Sequence, residues 1–209
     1  MQQLRRHARS DVVDKAAQLL DDYGIADLTM RRLARELGLT PGALYWHFAD
    51  KQALLGAVAD RILASTATTQ DGPWVQRVHL ICTGLRNALL STTDGAELVS
   101  ASFAAGKSEL MTELLDRLTA AAAEAGIDSS HADLAARSVL YYVLGFTADE
   151  QSRLQWDAAG ALQETQSVMA TDPNGRFAFG LRLLVDGMAA HASGSGDQGV
   201  DPGVAVPAP

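Results

Sequence analysis

The chain has 209 residues, 47% of them hydrophobic and 20% charged, with a formal net charge of −8. That balance suits a folded globular protein and excludes an intrinsically disordered one. No apolar run approaches the roughly 18 residues of a membrane span, and the polar start Gln2-Gln3-Leu4-Arg5-Arg6 lacks the apolar stretch of a secretory signal, so a cytoplasmic protein with no membrane partner is expected.

Helical periodicity dominates, and no alternating strand pattern or Asn-Gly hairpin interrupts it. The first helix is predicted over Ser10 to Tyr23, with Val12, Val13, Ala16, Leu19 and Leu20 on one face and Gly24 ending it. Thr29 caps a short second helix whose Leu33, Ala34 and Leu37 point inward, and Gly38 reverses the chain. Thr40 caps a third, with Pro41 at its first position, and Asp50 caps a longer fourth bearing Leu54, Leu55, Val58, Ile62 and Leu63. Beyond the break at Gln70-Asp71-Gly72-Pro73, helices are expected over Trp74 to Ser91, Ala96 to Phe103, Ser108 to Ala125, His131 to Arg153, Ala158 to Met169 and Asn174 to His191. The Gly/Pro/Ser-rich tail has no periodic apolar residues and should be disordered. The expected organisation is all-α: a three-helix helix-turn-helix domain over 1–60, a larger helical domain over 61–192, and a tail over 193–209.

Charge follows that division. Residues 1–51 hold eight basic and seven acidic residues, net +1, whereas the remainder carries net −9. Five of the early cations fall in two clusters, Arg5/Arg6 and Arg31/Arg32/Arg35. Cys82 is the single cysteine, so an intrachain disulfide is impossible; flanked by Leu80, Ile81 and Leu85, it reads as a small buried hydrophobe. No metal ligand set or cofactor motif is found.

Two helices hinged at Gly38 have the spacing of a helix-turn-helix, whose second helix enters the major groove. Leu44 and Phe48 share one face and should pack on Leu33 and Leu37. Tyr45, Trp46 and His47 cannot all be buried with them, and on DNA they can donate to phosphates or base edges. Pro41, Gly42 and Ala43 leave room for close approach, and Lys51, Thr29 and Arg31 can meet phosphates. The same gapped pattern also fits a three-helix subdomain that buries its aromatics and binds nothing.

The continuous string from Thr29-Met30-Arg31-Arg32-Leu33 through Leu39-Thr40-Pro41-Gly42-Ala43-Leu44-Tyr45-Trp46-His47-Phe48 to Leu54-Leu55 closely resembles the DNA-binding domain of the tetracycline-repressor (TetR) family, over about residues 8–60. Trp74, the Asp94-Gly95-Ala96 turn, the run Leu144 to Gln151 and Phe177-Ala178-Phe179-Gly180-Leu181 look like that family's tetracycline-repressor type of C-terminal domain. The resemblance implies a homodimeric, ligand-responsive repressor of a palindromic double-stranded operator. Its DNA contacts would fall on Thr29, Arg31, Thr40, Pro41, Gly42, Ala43, Tyr45, Trp46, His47 and Lys51. Because Pro41, Gly42 and Ala43 replace larger or more polar base readers of the tetracycline repressors, a different operator sequence is implied.

The helices around 131–153 and 174–191 are apolar on more faces than one monomer needs, which suits a four-helix dimer bundle, although both could instead fill a monomer's core. Gly180 and Gly187, seven apart, could admit a partner backbone. The stripe His79, Thr83 and Asn87 reads as a solvated face, with a pocket lining as the alternative. For a small-molecule effector the candidate lining is Leu85, Val99, Phe103, Met111, Tyr142, Asp149 and Trp156, chosen on apolar or aromatic content and on the resemblance. Tetracycline repressors hold drug-bound magnesium with a histidine just after the Asp-Gly-Ala turn, where Val99 stands here. Without that imidazole a different, flat or apolar effector is implied. The alternative, a small-molecule carrier or enzyme with a vestigial helix-turn-helix, would rest on His79, His131 or the Asp149/Glu150 pair, and adjacent helical carboxylates diverge by about 100°.

Overall fold

The computed structural model describes residues 8–66, 71–162, 167 and 172–194. Among these residues every regular element is a helix: α1 Arg9–Tyr23, α2 Met30–Glu36, α3 Pro41–Leu44, α4 Lys51–Leu63, α5 Trp74–Leu90, α6 Gly95–Ala104, α7 Glu109–Glu124, α8 Ala132–Ala158 and α9 Pro173–Gly194. Local chemistry accounts for their ends. The Thr29 hydroxyl accepts the Arg32 N–H at 3.2 Å to open α2, and the Asp50 carboxylate accepts the Ala53 N–H at 2.7 Å to open α4. Gly38 turns the chain at φ +66°, a conformation that costs an L side chain about 1–2 kcal/mol. Thr40 precedes α3 as expected, but its side chain makes no capping bond there.

Three departures from the sequence reading have physical causes. Helix α3 is four residues long, because Asp50 must be extended (φ −154°) to cap α4, leaving Tyr45 to His47 in a turn held by His47 and Phe48 N–H bonds to the Leu44 carbonyl. Helix α8 runs past Arg153 to Ala158, where Gln151 donates to the Leu89 and Thr92 carbonyls and Gln155 to Asp94, tying its last turns to the end of α5 and the α5–α6 connection. The expected helix over Ala158 to Met169 begins instead as a turn, with Gly160 at φ +68°. Residues 163–166 and 168–169 of that stretch lie outside the described residues, as do Arg5, Arg6 and residues 195–209 of the tail.

One apolar core runs from Val12 in α1 to Met188 in α9, so the small N-terminal helices and the larger bundle share buried surface through α4. Leu33, Leu44 and Phe48 are 0–2% exposed and knit α2 and α3 together, each burial contributing about 2–3 kcal/mol. Polar straps grip both ends of α6. At its start, Asp94 accepts the Ile25 N–H at 2.9 Å and the Gln155 amide at 2.7 Å, while Thr93 donates to Asp21. Beyond its end, Asp60 of α4 accepts the Ser108 hydroxyl at 2.6 Å and the Leu110 N–H at 3.1 Å. Gly56 admits the Lys107 carbonyl where a Cβ would stand 2.0 Å from its oxygen.

Candidate nucleic-acid interface

Burial divides the residues around α3 cleanly. Leu44 and Phe48 face inward at 0% and 2% exposure, whereas Trp46 is 91% and Tyr45 53% exposed. An indole that open to water adds little to the stability of the fold, and with Tyr45 it forms an exposed aromatic pair. Thr29, Arg31, Thr40, Pro41 and Gly42 are exposed beside it, and Ala43, His47 and Lys51 are half-buried. The fold thus brings all ten predicted DNA residues to the α2–α3–α4 end of the molecule.

The arginine cluster is not uniform. Arg32 donates to Asp27 at 2.6 Å and lies 3.8 Å over the Tyr23 ring, so it serves the fold, while Arg31 and Arg35 are exposed. Arg9 sits 4.8 Å over Phe48, which braces the helix behind Trp46. Gly42 has no steric cause inside the protein: its φ is not left-handed, and a Cβ would meet nothing closer than the Thr40 Oγ1 at 4.0 Å.

Comparison with known proteins places this architecture. Residues 12–58 match the bacterial regulatory proteins of the tetR family, and residues 66–168 match the tetracyclin repressor-like C-terminal domain. The chain belongs to the TetR family. It is 30% identical over 207 residues to the class C tetracycline repressor protein of Escherichia coli, covering 90% of this chain and 92% of that one. It is also similar to the crystal structure of Mycobacterium smegmatis BioQ, at 60% identity and TM-score 0.84 over 89% of this chain and 99% of that one. A structure of BioQ with its natural double-stranded DNA operator matches at 57% identity and TM-score 0.78, over 89% and 100% of the two chains. Members of this family are regulators rather than enzymes, and no helix among the described residues is long and apolar enough to cross a membrane.

In this TetR-family regulator the predicted effector residues do not converge on one cavity. Leu85, Val99 and Met111 are wholly buried in the core. Phe103 is half-buried, with the Arg137 guanidinium 6.0 Å over its ring. Tyr142 donates its hydroxyl to the Phe177 carbonyl at 2.9 Å and stacks on that ring at 5.7 Å. Asp149 pairs with Arg153 at 2.8 Å on the surface, and Trp156 is 60% exposed. A groove of about 650 Å³ lies elsewhere, between α6 and α8, lined by Ala101, Ala104, Gly145 and Ala148 with Asp94, Gln151 and Gln155. Its polar end is the α6 strap itself.

Sequence reasoning missed the buried ion pair of Arg86 with Glu150, 5% and 6% exposed. Both positions fall within otherwise apolar arcs, Arg86 between Cys82 and Leu89 and Glu150 seven after Val143, which was the available signal. Gly180 also has a different use: it makes room for the Tyr142 hydroxyl, 2.3 Å from where its Cβ would lie, whereas Gly187 is open. Cys82 is fully buried, and burial pushes its thiol up to about 12, so it is an inert hydrophobe at neutral pH.

Proposed function

We propose that the protein is a cytoplasmic, non-catalytic repressor that binds a palindromic operator as a homodimer and leaves it when a small-molecule effector binds among the C-terminal helices. The observation that carries the reading is Trp46, 91% exposed next to exposed Tyr45 and above the buried Leu44 and Phe48. Two such surfaces about 34–36 Å apart would meet successive major grooves. Thr29, Arg31, Thr40, Tyr45, His47 and Lys51 would hold the backbone, while Pro41, Gly42 and Ala43 would come close to base edges. A glycine that the fold does not need supports that close approach. BioQ, solved on its double-stranded operator, supplies the nearest precedent among the relatives described above.

The dimer surface would be built from exposed apolar residues of α8 and α9, among them Leu134, 57%, Phe179, 55%, and Leu183, 58% exposed. Helix α6 is gripped by the reading head at both ends, so a ligand that displaces it moves the head with it. Val99, buried where tetracycline repressors place a metal-binding histidine, favours an effector other than a magnesium–tetracycline complex.

The test is a gel-shift titration with DNA from upstream of the protein's own coding sequence. Retardation of that fragment and not of unrelated DNA at moderate salt, lost in Trp46→Ala and Lys51→Ala, is the expected result. Equal retardation of both fragments would overturn the reading.

A further inference from the structure

Helix α9 is held on α5 and α8 by directional bonds as well as by the apolar side chains of Leu181, Val185 and Met188. Arg86 of α5 is the centre of these bonds. Its Nε donates to Glu150 Oε2 at 2.8 Å and its Nη2 to Glu150 Oε1 at 2.6 Å, a bidentate pair buried in α8's packing face. Its third arm, Nη1, donates at 2.9 Å to Asn174 Oδ1, one residue into α9. The guanidinium also lies 5.0 Å over Phe177 and 6.0 Å over Phe146. One step along, Tyr142 donates to the Phe177 carbonyl and fills the space that Gly180 leaves open.

Stability alone does not account for a charge pair in this position. An apolar pair of similar volume in a buried site is commonly as stable or more so, because neither partner has to be stripped of water. What the guanidinium adds is direction. Apolar contacts tolerate sliding and rotation of a helix, whereas a three-armed donor spanning α5, α8 and α9 is satisfied in one register only. A rotation of α9 by one residue is about 100°, enough to turn its exposed Phe179 and Leu183 to a different side of the bundle.

We propose that Arg86, acting with Glu150 and Asn174, is a positioning residue for the homodimer: it fixes the register of α9 so that its exposed Phe179 and Leu183 meet the second copy of the chain. The inference rests on the homodimer reading above. The partner is a second copy, as in the homodimer reading above: Phe179 and Leu183 stay exposed on α9 in the single chain, and Gly187, four residues after Leu183, has no atom within 4 Å of where its Cβ would lie, so a helix backbone can come close there.

The experiment measures dimer dissociation by sedimentation across a dilution series, alongside thermal unfolding of the same samples. In Arg86→Met/Glu150→Leu, which replaces the pair by apolar side chains, unfolding stays cooperative and the dimer dissociation constant rises at least tenfold. Asn174→Ala removes only the arm to the exposed Asn174, leaves the ion pair in the core, and raises the constant severalfold. Arg86→Lys keeps the charge but not the fork, and does not restore wild-type dimerisation. If the double variant fails to fold, Asn174→Ala carries the test by itself. Wild-type dissociation constants in Asn174→Ala and the double variant would overturn the inference while leaving the homodimer intact. A wild-type chain that is monomeric throughout would overturn the homodimer reading, and this inference with it.

Discussion

The reading head and the effector bundle dispose of their chemistry in opposite ways. The head turns Tyr45, Trp46 and Arg31 outward from a small packed triangle of helices, whereas the bundle turns Leu85, Val99 and Met111 inward until no water reaches them. A surface that meets a rigid, highly charged duplex has to be in place before the partner arrives. A pocket for a small ligand can instead be closed in the free state and opened by the ligand's own binding energy. On the proposed function, the reading surface is preformed at one end while the predicted effector residues Leu85, Val99 and Met111 are packed at the other, and α6 is strapped to both.

Several measurements would break or sharpen that contrast. The largest effect is expected from Phe48→Ala, which empties a 2%-exposed position behind the reading surface and should destabilise the fold by about 3–5 kcal/mol; a thermal melt unchanged within error would show that the head is not packed as described. Trp46→Ala should do the reverse, leaving the melting temperature within about 1 °C because the ring is exposed, and costing about 1–3 kcal/mol of operator affinity. Gly42→Ala sharpens the same point: with room for a Cβ and no left-handed φ, the variant should melt at or slightly above wild type yet bind operator roughly tenfold more weakly. Operator titration together with a melt separates the two effects.

A smaller effect should follow from cutting the strap. Asp94→Ala removes the acceptor shared by the Ile25 N–H and the Gln155 amide, and should reduce the effector's leverage on DNA affinity by about 1 kcal/mol while operator binding by the free protein persists. Full coupling in that variant would place the transmission elsewhere. The smallest effect is local to the α7–α8 turn. There the Ser130 hydroxyl, then His131, hold the Asp128 carboxyl down at about 2. A lowered carboxyl stabilises the fold above its ordinary value of 3.8 and loses that contribution as pH falls through about 2. Ser130→Ala should raise the Asp128 titration midpoint toward 3.8, as read by carboxyl NMR.

The two regions were also unequally legible. Every predicted DNA residue lies between Thr29 and Lys51, where caps, a left-handed glycine and i,i+4 apolar pairs act over distances that the sequence itself specifies. In the bundle, neighbours come from helices dozens of residues apart. The pairing of Arg86 with Glu150 joins positions 64 apart, and that of Arg86 with Asn174 positions 88 apart. The family resemblance marked Asp149 as the notable acid, yet the helix points it to solvent beside Arg153 and turns Glu150 inward. Gly180 and Gly187 likewise look equivalent in sequence, and only packing shows that one receives the Tyr142 hydroxyl and the other faces open space.

The amino-acid sequence by itself determined the helical class, the helix-turn-helix and the exposure of Tyr45 and Trp46 beside buried Leu44 and Phe48, because periodicity, capping and turn chemistry are properties of adjacent residues. Tertiary structure alone decided where α3 stops, which acid is buried, which glycine is filled and how α6 is strapped to the reading head. Those outcomes depend on which distant side chains compete for the same space and the same hydrogen bonds, and that competition exists only once the helices have packed.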